Sequence, residues 1–154
     1  MSIAQNQSVI AQVNGNESYV EGDADGAIEP GQGVVWYEDA NGDTQVKLVG
    51  ADHESKRVAR EQRNPPRSLG ATGDSVLDDA YASGDNCETV GFRRHDRARL
   101  RHDGNIGTPG NFEDAEVGWD ANGYITSSPT VAIGRGIRVI DRSSGDDFVV
   151  VEFY

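Results

Sequence analysis

The sequence predicts an all-β domain, compact and glycine-rich, of β-barrel or β-sandwich type, with one short helix and a polar N-terminal arm. The first observation behind this is the even spread of nineteen glycines between short apolar runs, the rhythm of strands joined by turns. Within those runs the apolar positions mostly recur at period two, as one buried strand face requires. Only one stretch carries helical spacing instead. A chain of 154 residues fits one domain with an arm, and a domain of that size buries roughly 68–70% of the surface its unfolded chain exposes. No disulfide is needed for such a core, and the single cysteine, Cys87, allows none within the chain. Its reading is a small hydrophobe inside a strand.

Residues 1–27 are polar and rich in Gly, Asn and Asp, with one weak strand at 8–13; they read as an arm or edge element, and 28–154 as the β-domain. Ile28-Glu29-Pro30-Gly31 is a turn signal. A strand is expected at 33–37, then a hairpin turn at Asp39-Ala40-Asn41-Gly42-Asp43, whose Asn-Gly is the strongest short hairpin signal, then its partner at 45–49. Residues 50–67 are polar and basic and end in Asn64-Pro65-Pro66-Arg67, an extended loop. The helical turn spans 73–84: Ser75 caps it, Val76, Leu77, Ala80 and Tyr81 share a side, and Gly84 closes it. Further strands are expected at 87–92, 97–101, 116–119, 123–126, 131–140 and 147–154. In the 131–140 strand, Val131, Ile133, Ile137 and Val139 fall on one face. The last strand is apolar on both faces, which places it centrally or inside an oligomer. The tetrapeptide Asp-Ala-Asn-Gly occurs at 39–42 and again at 120–123; since the flanks differ, this is reuse of one turn chemistry.

The formal net charge is −12, and the basic residues are two lysines against twelve arginines. Abundant Asp and Glu with almost no Lys looks like the proteome of a salt-in halophilic archaeon. At about 1 M salt the Debye length is only about 3 Å, so self-repulsion is screened and long-range steering is weak. Partners must then be held by close contact and apolar burial. The N-terminal MSIAQNQSVIAQ lacks the positive charge and apolar run of a signal peptide, and nothing approaches the roughly 18 apolar residues of a membrane span. The expectation is a soluble chain made inside a cell, in its cytoplasm, with no membrane partner.

No catalytic constellation is expected. The histidines His53, His95 and His102 sit in no nucleophile or metal motif, and no Gly-x-Ser-x-Gly elbow occurs. Asp39-x-Asn41-x-Asp43 opens like a calcium loop, but Thr44 stands where the Gly belongs and Gly50 where the bidentate Glu belongs. It reads as a turn. No metal or cofactor is expected.

The informative charges are basic. Lys56, Arg57, Arg60, Arg63 and Arg67 form one stretch, and Arg93, Arg94, Arg97, Arg99 and Arg101 another, together ten of the fourteen basic residues. A strand at 97–101 puts Arg97, Arg99 and Arg101 on one face and Ala98 and Leu100 toward the core. Those arginines either pair with the chain's own carboxylates or grip carboxylates of a partner, for which the weakly hydrated guanidinium fork is suited. Net charge and molar salt both oppose nucleic acid, whose binding falls steeply with salt. The candidate partner-binding residues are therefore Arg57, Arg60, Arg63, Arg67, Arg93, Arg94, Arg97, Arg99 and Arg101.

The order of segments resembles a known family. Gly70-x-x-Gly73-Asp74-Ser75-Val76-Leu77-Asp78-Asp79-Ala80-Tyr81-Ala82-Ser83-Gly84-Asp85 is similar to a stretch in the head decoration (capsid cement) proteins of tailed phages and haloarchaeal tailed viruses, where an apolar strand follows, as 87–92 does here. Leu100-Arg101-His102-Asp103-Gly104-Asn105-Ile106, then Gly110-Asn111-Phe112, Val117-Gly118-Trp119-Asp120 and the turn Asn122-Gly123-Tyr124, continue the likeness, which Gly134, Gly136 and the closing Val-Val-Val-Glu strand complete over about 28–154. The Gly-Lys expected at the start of the motif is missing, and the arginine-rich 93–101 is unusual. The resemblance implies a compact β-barrel-like domain, a homotrimer at threefold positions of the shell, which locks neighbouring copies of the major capsid protein together on the outer surface of the head. Two other readings stand beside it. One is a tail or turret β-domain of the virion. The other is a small carbohydrate-binding domain with Trp36, Tyr37, Trp119 and Tyr124 as an aromatic platform.

Overall fold

The computed structural model describes residues 8–62, 76–142 and 145–154. Its strands are β1 (Ile10–Gln12), β2 (Ser18–Ala24), β3 (Val34–Glu38), β4 (Thr44–Leu48), β5 (Arg57–Ala59), β6 (Asn86–Gly91), β7 (Arg97–Arg101), β8 (Glu116–Trp119), β9 (Ile125–Thr126), β10 (Gly134–Ile140) and β11 (Phe148–Phe153). They form two sheets, a six-stranded one in the order β1-β7-β11-β10-β8-β9 and a five-stranded one in the order β3-β4-β2-β6-β5. Every named pair is antiparallel except β2 with β4. The expected all-β class holds in its sandwich-like form: both sheets are open, and neither closes into a barrel.

The expected helix is a correction. Within 73–84 the described residues hold only a 3₁₀ turn at Val76–Asp78, and a second 3₁₀ turn lies at Pro109–Asn111. The proposed cap Ser75 lies outside the described residues. Leu77 and Tyr81 are both buried, but the chain between them leaves the helical path because Tyr81 bridges to Ile28 as an isolated strand-like pair, its N–H donating to the Ile28 carbonyl at 2.7 Å. A backbone bond to a neighbouring segment replaces the local one. Gly84 takes the left-handed conformation expected of it, with φ of 89°.

Residues 1–27 divide. β1 is an edge strand of the six-stranded sheet, whereas β2 lies inside the five-stranded sheet between β4 and β6. Its polar sequence hid this. Glu21 stands directly opposite Glu88 across the β2–β6 pair, and Tyr19 Oη donates to both, at 3.0 and 2.7 Å. β4 approaches closely because Gly22 has no side chain: a Cβ there would lie 2.7 Å from the Thr44 carbonyl oxygen. β5 is a further strand inside the expected loop 50–67, pinned by pairing with β6.

Two apolar clusters result. One lies where the sheets face each other and joins Val58 and Val90 to Ala98, Leu100, Trp119, Val149, Val151 and Phe153. The other holds Ala24, Val34, Val46, Ala59 and Cys87 under Ile28 and Tyr81. Cys87 and Val90 lie on opposite faces of β6, so the five-stranded sheet is buried on both sides there. β11 sits centrally between β7 and β10, as its two apolar faces demand. On β10 the period-two expectation fails: a bulge between Gly136 and Arg138 shifts the register, leaving Ile133 buried and Ile137 exposed.

The two Asp-Ala-Asn-Gly turns are built alike. Asp39 Oδ1 accepts from the N–H groups of Asn41 and Asp43 at 2.9 and 3.0 Å; Asp120 Oδ1 accepts from those of Asn122 and Tyr124 at 2.8 and 3.0 Å. Gly42 and Gly123 supply the positive φ in each. The Asp39 carboxylate is thus committed to its own turn.

Candidate functional site

The cross-strand register of β7, β11 and β10 sets out the arginines in rows on one face of the six-stranded sheet, because directly paired residues share a face. The first row runs Arg97, Glu152, Arg135; the second Arg99, Val150, Arg138; the third Arg101, Phe148, Ile140.

In the first row the central residue is a carboxylate. Arg97 meets Glu152 through Nε and Nη2, each at 3.1 Å, and Arg135 turns to Asp114 at 2.8 Å on the exposed side. These are solvent-screened pairs that contribute little to stability. In the third row Arg101 is 1% exposed. Its Nη1 meets Asp146 at 2.9 Å, Glu29 at 3.3 Å and Asp78 at 3.5 Å, its Nε donates to the Pro30 carbonyl at 2.8 Å, Nη2 donates to the Leu77 carbonyl, and the guanidinium lies over the Phe148 ring. This arginine is an internal tie.

The second row lacks any acid. Val150 occupies the place Glu152 holds in the first row. Arg99 is half-buried; its Nη1 donates to the carbonyls of Ser8 and Ile10, both at 3.0 Å, which clamps β1 onto β7, while its Nε is buried with no hydrogen-bond partner. Burial, and then the charge of Arg138, press the Arg99 pKa below its usual value. Arg138 is exposed, has no carboxylate partner among the described residues, and stands beside the exposed Ile137. On a chain of net charge −12, this row sets Arg99, on which the Glu61 charge also acts, and Arg138 around the buried Val150, with one exposed isoleucine beside them.

The other candidate arginines divide similarly. Arg60 is buried, paired with Glu17 at 2.6 Å and Glu61 at 3.3 Å. Arg57 is half-buried and hydrogen-bonded only to neutral acceptors on Ser18 and Thr89. Arg93 and Arg94 are exposed, with no ion pair among the described residues. Arg63 and Arg67 lie outside the described residues. Arg138 and Arg135 escaped the sequence reading because they stand apart from both basic stretches; only pairing in register brings them to the same face.

The aromatic platform does not assemble. Trp119 is fully buried, Trp36 is 47% exposed on β3, Tyr124 Oη donates to Glu29 at 2.8 Å and Tyr37 Oη to Asp25 at 3.0 Å. Cys87 is fully buried, and burial, helped by the Glu88 charge, pushes its thiol up to about 12. Since only thiolate reacts readily, a disulfide thiol reagent at pH 8 is expected to label the native protein not at all over hours and the urea-unfolded protein stoichiometrically. Rapid native labelling would show that the β2–β6 region opens.

No family model matches the chain, and no curated protein matches it. Among solved structures its fold is similar to that of the head fiber gp8.5 N base of bacteriophage phi29, with a TM-score of 0.51 and 9% sequence identity over 89% of this chain and 94% of that chain. At that identity the likeness is one of fold, over nearly the whole of both chains.

Proposed function

We propose that this chain is a structural protein of a tailed-virus head, a non-catalytic β-domain seated on the outer surface of the shell formed by the major capsid protein, in a virus whose host lives in high salt. The observation that carries the reading is the similarity in fold to a phage head fiber base, over 89% of this chain and 94% of that one. The resemblance of 70–85 and the segments after it to head decoration proteins points the same way. The acid-free row Arg99, Val150, Arg138, with Ile137 beside it, supplies a surface of the required kind: at high salt, guanidinium forks and aliphatic contact hold a partner where long-range charge does not.

Two forms of this role differ in what the domain does once seated. A fiber or turret base, the form the fold comparison favours, anchors further protein to the shell; a cement protein, in homotrimers, stiffens it. Shells assembled from the major capsid protein of the same genome, mixed with this protein at molar salt and sedimented, test the common element. Saturable co-sedimentation is expected, and a rise in the disruption temperature of the shell marks the cement form. Arg138→Ala alone, and with Arg99→Ala, is expected to weaken binding by about tenfold or more, the loss of about 1.4 kcal/mol for contact residues of this type. Full binding by the folded double variant would move the contact surface elsewhere, and no sedimentation of the parent protein would sink the head reading.

A further inference from the structure

The two basic stretches of the sequence, some thirty-five residues apart in the numbering, meet at one place. β5 pairs with β6 so that Arg57 faces Gly91, and the Phe92 N–H donates to the Lys56 carbonyl at 2.8 Å. There a shallow depression of about 380 Å³ is lined by Ser18, Ser55, Lys56, Arg57, Phe92 and Arg93, with Gly91 in its floor. Gly91 provides the bed for Arg57: a Cβ at that position would stand 2.8 Å from Arg57 Nη2 and 3.2 Å from Ser18 Oγ. Phe92 is held beneath by stacking on Phe153, with ring centroids 4.9 Å apart.

The two guanidiniums of this depression have no carboxylate partner among the described residues. Arg57 Nη1 donates to the Ser18 carbonyl at 3.4 Å and to Thr89 Oγ1 at 3.2 Å, and Nη2 to Ser18 Oγ at 3.1 Å, all neutral acceptors. Arg93 is exposed and has no ion pair among the described residues. The nearby Asp96 carboxylate is spent on backbone, accepting from the N–H groups of Asn14 and Arg93, each at 2.8 Å. Lys56 Nζ donates to the main-chain oxygen of Tyr154, so the ammonium already has a partner and the two guanidiniums are the free charges of the hollow. A protein with 26 acidic residues against 14 basic ones has placed a half-buried guanidinium, an ammonium and a second guanidinium around one hollow.

We propose that this depression is a socket for a single carboxylate, an Asp or Glu side chain presented by a partner protein. The orientation of Arg57 is fixed by three hydrogen bonds, so little freedom is lost when an anion docks on the fork, and carboxylate is the anion whose two oxygens match it. A polyphosphate chain fits less well, because the −12 field acts on every charge beyond the first. The inference stands apart from the head reading: it concerns a different set of residues from Arg99 and Arg138, and its test uses no shell.

The test is titration of the full chain, followed by ¹H–¹⁵N amide spectra, with the blocked tripeptide acetyl-Gly-Glu-Gly-amide, its Gln counterpart, and inorganic phosphate. The expected result is saturable shifts at Gly91, Phe92 and Arg93 with the Glu peptide, none with the Gln peptide, and weakening as salt is added. Arg57→Gln is expected to weaken binding by at least about tenfold. Arg93→Gln, at an exposed position that leaves the fold intact, is expected to weaken it several-fold. Arg94→Gln, outside the lining, is expected to leave it unchanged. Absent saturation with the Glu peptide, equal shifts from the Gln peptide, or an unaltered affinity in folded Arg93→Gln would each overturn the socket. Tighter binding of phosphate than of the Glu peptide would overturn its assignment to carboxylate.

Discussion

Arg101→Leu is expected to lower the free energy of unfolding by about 3–5 kcal/mol, the cost of removing one member of a buried charge cluster. Typical domains have only about 5–15 kcal/mol in hand, so this single change brings the protein close to unfolding at room temperature. Part of the cost is the charge left on three carboxylates, although each keeps another partner. Glu29 keeps the Tyr124 hydroxyl at 2.8 Å, Asp78 keeps Arg142 at 3.0 Å, and Asp146 keeps the Gly104 N–H at 2.9 Å. What is also lost is the cross-link: Arg101, from the middle of one sheet, donates to the carbonyls of Pro30 and Leu77, which tie the 28–31 turn and the 3₁₀ turn down onto Phe148. Gly31 makes the close approach possible, with φ of 91° and a place where a Cβ would lie 2.7 Å from the Phe148 ring. Urea unfolding of parent and variant measures the difference. As a contrast, Arg135→Ala removes a fully solvent-facing pair and should leave the unfolding midpoint where it is. A loss below about 1 kcal/mol for Arg101→Leu would mean that the two turns hold their positions without it.

This contrast shows how far the arginines were legible in the sequence. Period two placed Arg97, Arg99 and Arg101 on one face, and the structure keeps them there. It did not say that the face changes from solvated to buried along its own length. Arg101 differs from Arg97 because Pro30 and Leu77, distant in sequence, cover it; nothing in Arg-Ala-Arg-Leu-Arg records that cover. The turn chemistry was legible at 39–43 and 120–124 because an Asx turn is local, held by side chain to backbone bonds within five residues. β2 was not, because its stability comes from neighbours on both sides and its sequence spells polar residues and glycine. The helical turn at 73–84 failed for the same reason in reverse: a local preference yielded to the Ile28–Tyr81 bridge.

The candidate surface was half legible. Clustering identified Arg99, but its companion Arg138 is an isolated arginine that β10 carries to the same row only after the bulge past Gly136. Beside the bulge, Gly136 leaves room for the neighbouring segment: a Cβ there would lie 1.9 Å from the Phe112 carbonyl oxygen. Acidity, by contrast, was informative at the level of composition alone. The carboxylates serve as turn acceptors at Asp39 and Asp120, converge on Arg101 from Glu29, Asp78 and Asp146, and face each other at Glu21 and Glu88. Arg57, Arg93, Arg94 and Arg138 lack a carboxylate partner among the described residues, and three of them stand at the proposed contact row and the proposed socket.

Trp119→Ala is expected to cost about 3–5 kcal/mol, the range for emptying a large aromatic site in a core. Trp119 is 0% exposed and stands in the apolar cluster between the sheets. Its indole N–H donates to the Ser55 carbonyl at 2.8 Å, so it joins β8 of one sheet to the segment leading into β5 of the other. The ring lies flat against Gly33, where an added Cβ would meet ring carbons at 2.5–2.8 Å. Trp119→Phe retains most of the buried area but leaves the Ser55 carbonyl without its donor, for a smaller loss of about 1–3 kcal/mol. Gly33→Ala overpacks the same contact, at about 1–3 kcal/mol in the parent protein. In the Trp119→Ala background the ring that the methyl would strike is gone, so Gly33→Ala should cost less there, and the double variant should be more stable than the sum of the single changes by about 0.5–3 kcal/mol. Unfolding is best followed by circular dichroism, since the exposed Trp36 would dominate fluorescence once Trp119 is removed. Strict additivity would mean that the close contact with the indole does not shape the interface between the sheets.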